Sequence, residues 1–295
     1  MRYRGRFAPS PTGPLHLGSL IAAVASYLDA RHAQGAWLVR MDDLDPPREE
    51  PGAAERILAS LQAHALHWDE EVVYQSTRDA AYHTALTQLN ELGYLFYCEC
   101  SRAMQGPEGI CCGTCSYRQE WVAKPRSIRV RVPAETEIQF TDQVQARQYS
   151  ALGASCPDFI VRRKDGLNAY QLAVVVDDAA QGITHVVRGS DLLDTTPRQV
   201  YLQQLLGHPT PQYLHFPVIT TALGHKFSKQ NHAPPLNDST PSDNLRYVLR
   251  FLNQTQPPGD LDSPAQILEF AVSHWSVAQV PRTLTIPAAA LQEGN

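Results

Sequence analysis

The run Phe7-Ala8-Pro9-Ser10-Pro11-Thr12-Gly13-Pro14-Leu15-His16-Leu17-Gly18-Ser19 constrains the fold more than any other stretch of this chain. Residues 3–8 read as a short strand feeding a loop. Pro9, Pro11 and Pro14 stiffen that loop, because a proline ring locks φ and removes a donor. His16-Leu17-Gly18-Ser19 then stands at the mouth of an apolar helix. Leu20, Ile21, Val24 and Leu28 keep a 3.6-residue rhythm from Leu17 to about Gln34, and Gly35 stops it.

The alternation continues. Ala36–Met41 reads as a buried strand that runs into Asp42-Asp43-Leu44-Asp45. Helices are expected over about 53–65 and 78–92. Strand, helix, strand, helix is the rhythm of a parallel sheet with crossover helices. The rhythm breaks near Tyr94, so residues 1–95 form a first unit and 96–157 an insertion. Within the insertion, 127–132 and 138–140 alternate like antiparallel strands. Strand character resumes at 158–163, and Asp165-Gly166 suits a hairpin turn. Thr184–Val187 reads as another strand. Thr196 is the expected N-cap, and Pro197 the first position, of a helix through Leu206. The second half of the sheet domain is expected over 158–235, followed by a short helical region over 236–295.

Hydrophobic residues make up 43% of the chain, enough for a substantial core. The formal net charge of −5 argues against nonspecific coating of nucleic acid, which needs a broad positive field. It leaves room for a local basic face. The N-terminal residues lack the apolar stretch of a signal peptide. No segment approaches the ~20 apolar residues of a membrane span. A cytoplasmic, monomeric chain is the expectation.

Two segments suggest nucleotide chemistry. A helix N-terminus carries partial positive charge and unpaired N–H groups, and so attracts phosphate. His16 and Ser19 belong at that end, and Gly18 lets a flat ring approach the backbone. Lys226 and Lys229, in Lys226-Phe227-Ser228-Lys229-Gln230, can reach a pyrophosphate from the other side as mobile point charges. Each segment alone has a plainer explanation: a helix cap, and a solvated loop. Their order on an α/β pattern favours an ATP site. Arg6, just before the proline run, and Arg188, ending a strand at a likely ligand edge, are the planar cations placed to meet a carboxylate, with Tyr170 as a wall.

Five cysteines crowd together: Cys98, Cys100, Cys111, Cys112 and Cys115. In a reducing compartment this suggests one structural zinc held by four thiolates. Spacing alone leaves Cys111 and Cys112 as alternatives.

The chain resembles a known family at these same places. Residues 7–19 and Lys226-Phe227-Ser228-Lys229 are similar to the two ATP motifs of class I aminoacyl-tRNA synthetases, in the glutamyl branch. Arg40-Met41-Asp42-Asp43-Leu44-Asp45 resembles that branch's Arg-Ile-Glu-Asp-x-Asp segment. Val174–Asp178 and Gly182–Asp191 match it too. The resemblance spans roughly residues 3–235. It implies an α/β fold: a Rossmann-type parallel-sheet catalytic domain with a zinc-containing insertion and a short helical C-terminal region. It implies ATP as substrate, with Mg2+, and ATP contacts from His16, Gly18, Ser19, Lys226 and Lys229. His16 and Lys229 would stabilise charge during catalysis. Positions matching Arg6, Phe7, Ala8, Pro9, Ser10, Tyr170 and Arg188 contact glutamate in that family. Asp42 stands where a longer glutamate is usual. The resemblance also favours Cys111 over Cys112, giving Cys98, Cys100, Cys111 and Cys115 as zinc ligands.

A standard glutamyl-tRNA synthetase has a long helical region that reads the anticodon. After Lys229 this sequence has room for a few helices, so no anticodon-binding domain is expected. That pattern resembles the glutamyl-queuosine tRNA(Asp) synthetase family, which implies transfer of glutamate to the wobble-position queuosine of tRNA(Asp). The partner would be its anticodon arm. Arg102, Arg118, Arg126, Arg129, Arg162 and Arg163 are candidate phosphate contacts. The alternatives are a short glutamyl-tRNA synthetase charging the 3′ end of tRNA(Glu), and a non-catalytic glutamate- or RNA-binding relative.

Overall fold

The computed structural model describes residues 2–105, 109–113, 115, 126–221 and 234–288. Strand β1 (Arg4–Phe7) leads through the proline turn to helix α1 (Leu17–His32), and β2 (Ala36–Met41) follows. Then come α2 (Ala53–Ala63), β3 (Val73–Tyr74), α3 (Asp79–Glu91) and β4 (Leu95–Cys98). The middle of the chain holds β5 (Ser127–Arg131), β6 (Ile138–Asp142), β7 (Ala146–Ser150), a short α4 (Leu152–Ser155) and β8 (Asp158–Arg162). Next are α5 (Tyr170–Ala180), β9 (His185–Gly189), α6 (Thr196–Leu206), β10 (Gln212–Phe216) and β11 (Val218–Thr220). The last elements are α7 (Pro241–Phe251), α8 (Pro264–His274) and β12 (Thr285–Pro287).

Strands β1, β2 and β3 pair in parallel, with Phe7 opposite Val39. A second sheet has the order β7-β6-β10-β9, with β9, β10 and β6 parallel. The two sheets meet where β1 packs on β9: the Thr184 amide donates to the Arg4 carbonyl at 2.9 Å. The chain leaves β1 towards β2 on one side and later returns to β9 on the other. In open α/β sheets such a switch point leaves a crevice beyond the carboxyl ends of the strands.

Helices cover both faces. α1, α7 and α8 share one apolar core with Trp37, Phe216 and Trp275, while α3, α5 and α6 share another with Leu38, Phe159 and Tyr213. The stripe Leu20, Ile21, Val24 and Leu28 is fully buried, as its spacing predicts. The buried face is wider than that stripe, because α7 and α8 cover α1 from the side away from the sheet. Asp29 is buried as well, and accepts from Tyr3 Oη (2.5 Å) and Trp275 Nε1 (2.9 Å).

The segment 96–157 is divided between sheets. β5 pairs antiparallel with β4 and β8, whereas β6 pairs antiparallel with β7 and joins β10. Residues 127–131 and 138–142 therefore do not pair with each other. The expected N-cap also differs. Ser190–Thr195 forms a 3-10 helix running straight into α6, so Thr195 takes the cap position and no side chain caps it. The Thr196 hydroxyl is turned to the sheet and accepts from Arg188 instead.

Candidate active site

An open cleft of about 480 Å³ lies at the switch point. Phe7, Gly189 and Phe216, at the carboxyl ends of β1, β9 and β10, form its floor, and Pro217, Val218 and Ile219 close one side. Arg6, Phe7, Ala8, Pro9, Ser10, His16, Gly18, Ser19, Asp42, Tyr170 and Arg188 all line it. The proline turn serves both as wall and as brace: the Asp42 amide donates to the Pro9 carbonyl at 2.9 Å. Gly13 sits at φ +132°, a conformation that favours glycine.

On the β1–β2 side the cleft rests on a buried ion network. Asp178 of α5 receives Arg6 in a two-pronged contact, Nε to Oδ1 at 3.0 Å and Nη2 to Oδ2 at 3.2 Å. Arg40 Nη1 donates to the same Asp178 Oδ1 at 2.7 Å, and Arg40 Nε donates to Asp42 Oδ1 at 2.9 Å. Two guanidiniums thus alternate with two carboxylates, and Arg40 has no solvent exposure. Burial works against the Asp178 charge, yet Arg6 and Arg40 hold its carboxyl below the usual range. Asp42 has one such partner in direct contact, and there burial prevails. Its carboxyl is pushed up to about 6.

On the β9–β10 side, Arg188 is held by uncharged groups. Its Nε donates to His215 Nε2 at 3.0 Å, its Nη2 to Thr196 Oγ1 at 2.8 Å, and its Nη1 to Tyr170 Oη at 3.4 Å. Its guanidinium also lies 5.4 Å from the centre of the Tyr213 ring, within cation–π range. Surface pairing with Asp191 is the plainer role for a strand-end arginine. Here Arg188 is only 5% exposed and is built into the sheet instead.

At the opposite wall, His16 caps α1. Its Nδ1 accepts from the Ser19 amide at 3.2 Å, which leaves the ring proton on Nε2, 3.1 Å from Ser19 Oγ. The helix-cap role and the cleft-lining role therefore coincide in one side chain. Lys226 and Lys229 lie outside the described residues. The chain on either side of that stretch meets the site: Ile219 lines the cleft, and Pro235 bridges to His16, with the Leu236 amide on the Leu15 carbonyl at 2.8 Å.

The cysteines form a separate buried group at the ends of β4 and β5. Sulfurs of Cys98, Cys100, Cys111 and Cys115 all lie within 4.8 Å of one another. Cys100 Sγ is 3.8 Å from both Cys111 Sγ and Cys115 Sγ. A tetrahedron with zinc–sulfur bonds of about 2.3 Å has edges of roughly 3.8 Å, so the group could hold such an ion. Cys112 is exposed and stands outside the group, though 3.2 Å from Cys100 Sγ. Burial pushes the Cys100 and Cys111 thiols up to about 11.

With the geometry in place, comparison with known proteins is decisive. The family of class I tRNA synthetases (E and Q), catalytic domain, matches residues 2–104 and 117–250. A glutamyl-Q tRNA(Asp) synthetase of Pseudomonas fluorescens is 51% identical over 295 residues, covering 98% of this chain and 97% of that protein. The chain belongs to the glutamyl-Q tRNA(Asp) synthetase family. A member from Xanthomonas campestris is 51% identical, covering 97% of this chain and 96% of its own. One from Neisseria meningitidis is 49% identical, covering 97% and 99%. The fold is shared with a glutamate tRNA ligase of Elizabethkingia meningosepticum, solved in complex with its amino acid. The TM-score is 0.81 at 23% identity, over 97% of this chain and 67% of that one.

Several residues that shape the cleft in this family member escape a reading of the sequence. Arg40 and Asp178 fall inside recognisable motifs, but nothing local assigns them a partner. Asp142 and His215 come from different strands and carry no motif signal. Among the candidate phosphate contacts, Arg129 is 1% exposed and bound to Asp158, so it faces no solvent. Arg126 is spent on Glu99 at 2.5 Å. Arg163 divides itself between Asp165 and Asp45 at 2.7 and 3.4 Å, and stays partly exposed. Arg162 Nε donates to the Gly166 carbonyl at 3.0 Å. The Arg102 side chain and all of Arg118 lie outside the described residues. Among the described residues no helix is long and apolar enough to cross a membrane.

Proposed function

We propose that the cleft activates L-glutamate with ATP and transfers it to the queuosine base at the wobble position of tRNA(Asp). The observation that carries this reading is the meeting of Arg6, Asp42, Tyr170 and Arg188 beside the His16 helix mouth, in a chain about half identical to glutamyl-Q tRNA(Asp) synthetases along its whole length. Arg6 and Arg188 approach from different strands, as two carboxylates on one small molecule require. Asp42 offers an acid suited to an ammonium. A water can bridge to it where the shorter side chain falls short.

In the first step a glutamate carboxylate oxygen attacks the α-phosphorus of ATP. The bond to the β-phosphate oxygen breaks, and pyrophosphate leaves with its charge. His16 can donate from Nε2 to a phosphate oxygen, while the N-terminus of α1 supplies a fixed positive dipole. Lys226 and Lys229 are proposed for the departing pyrophosphate, and Mg2+ accompanies the nucleotide. In the second step a ring hydroxyl of queuosine attacks the activated carbonyl, losing its proton, and AMP leaves. The product is an ester. Catalysis rests on positioning and charge complementarity, with no protein nucleophile. The four-cysteine group is proposed to hold one structural zinc, since a site closed by four thiolates has no position for a reacting water.

Incubation with ATP, labelled glutamate and bulk tRNA tests the reading. Label mapping to the anticodon fragment of tRNA(Asp), and absent when the tRNA has been oxidised with periodate beforehand, is the expected outcome. Label at the 3′ end would identify a glutamyl-tRNA synthetase, and no label a non-catalytic relative.

A further inference from the structure

We propose that Asp142 and His215 are positioning residues for glutamate recognition, aiming the Arg188 guanidinium into the cleft through a buried hydrogen-bond relay. The proposal rests on the reading of Arg188 as a carboxylate ligand and adds two residues that act behind it.

The relay begins on β6. Asp142 is fixed by three backbone donors: Val144 at 3.0 Å, Gln145 at 2.8 Å and His215 at 3.2 Å. Its Oδ2 lies 2.6 Å from His215 Nδ1, and His215 Nε2 lies 3.0 Å from Arg188 Nε. A guanidinium nitrogen can only donate. His215 Nε2 must therefore present its lone pair to Arg188, and the ring proton must sit on Nδ1, facing Asp142. One arrangement satisfies both contacts: a charged Asp142, a neutral His215 protonated at Nδ1, and a charged Arg188. With the proton on Nε2, two donors would meet head-on and the guanidinium would turn away.

Burial and charge agree with that arrangement. His215 is held below the usual imidazole range, first by burial and then by Arg188, despite Asp142. Burial opposes the Asp142 charge, but its contact with His215 and the backbone donors keep that carboxyl below the usual range. Asp142 and His215 are both fully enclosed, so solvent cannot replace either partner.

The relay also decides which edge of the fork is free. Nε is taken by His215 and Nη2 by Thr196, while among the described residues Nη1 makes the long contact to Tyr170 at the cleft wall. Because His215 and Thr196 are uncharged, they orient the cation without neutralising it. Arg6, by contrast, shares its charge with Asp178. Of the two arginines, Arg188 is the better provided for an incoming carboxylate.

Steady-state glutamylation of tRNA at varied glutamate, and separately at varied ATP, tests the proposal. His215→Leu and Asp142→Asn are expected to raise the KM for glutamate at least tenfold and to leave the KM for ATP within twofold. His215→Gln, whose amide oxygen can still accept from Arg188 Nε, is expected to recover part of that loss. A purely structural role would reduce the active fraction, hence kcat, without this split. Arg188→Ala serves as the reference. If it raises the KM for glutamate and the two relay variants do not, the relay is overturned. If Arg188→Ala itself leaves that KM unchanged, the ligand role of Arg188 fails instead. A measurement on the wild-type protein avoids any folding defect in the variants. Nitrogen-15 NMR at neutral pH should show His215 neutral with its proton on Nδ1. A proton on Nε2, or a charged ring, would overturn the proposal.

Discussion

Asp42, the acid proposed for the substrate ammonium, would tie recognition to pH through a single residue. It is a carboxylate with 8% exposure and one arginine in direct contact, so burial outweighs attraction and its proton leaves near pH 6 rather than near the ordinary 3.8. An ammonium needs the ionised form. The second-order rate for glutamate is therefore expected to be flat above about pH 6 and to fall by about tenfold per pH unit below it. A pH–rate profile checks this, and Asp42→Asn should lower activity and remove the acid limb. Stability runs the other way. Between the unfolded value and about 6 the folded protein binds more protons than the unfolded chain, so this group's contribution to stability falls as pH rises through that window. Asp178 is the contrasting case. It faces two guanidiniums, and its loss would leave both buried without their shared counter-charge, a defect that typically costs about 3–5 kcal/mol.

Gly35 illustrates what an element boundary can hide. The end of α1 reads in the sequence as a glycine stop, a place where φ turns positive. In the structure that turn is made at Gln34, with φ +53°, and Gly35 serves another purpose. A Cβ there would lie 2.6 Å from both the Tyr3 carbonyl oxygen and Tyr3 Cβ. The absent side chain is what lets β2 start beside β1, where the Ala36 amide reaches that same carbonyl at 3.0 Å. Gly35→Ala is expected to destabilise the protein by about 1–3 kcal/mol through overpacking. A urea titration would read this as a lower midpoint with an unchanged slope. An unaltered midpoint would mean that β1 and β2 can part at little cost. The start of α6 teaches the same lesson. Thr196-Pro197 has the composition of a cap, yet the preceding 3-10 helix fills that role and frees the hydroxyl for Arg188.

At the scale of the molecule, the cleft and the cysteine group stand on different foundations. The cleft depends on the parallel strands of two sheets meeting at β1 and β9, with helices packed on both faces. The cysteine group closes the end of the antiparallel sheet β4-β5-β8, where Phe96 packs with it. One zinc per chain is expected by elemental analysis. Its removal by a strong chelator should lower the thermal midpoint. Cys111→Ser should abolish stoichiometric binding, whereas Cys112→Ser should leave it intact, because only Cys111 is buried with the other three. Full occupancy in Cys111→Ser would reverse that assignment. The helices α7 and α8 belong to this scale too. They form part of the core around α1, and β12 pairs with β11 at the edge of the cleft.

Local order along the chain determined helices α1, α2, α3 and α6, strands β1, β2 and β9, and eleven of the residues that line the cleft, whereas α5 and β10 went unread. Helical periodicity, proline turns and short motifs are each written within about a dozen consecutive positions. Tertiary structure alone decided how those residues are held. Asp178 joins Arg6 to Arg40 across more than a hundred positions, and Asp142 meets His215 from another strand. It also removed Arg129 from the surface, buried Cys111 with three other cysteines while leaving Cys112 exposed, and gave Thr196 to Arg188. The physical reason is the same throughout. A charge or hydroxyl in a sequence shows what it can bond to, while burial and the strand brought alongside it select the one partner it has.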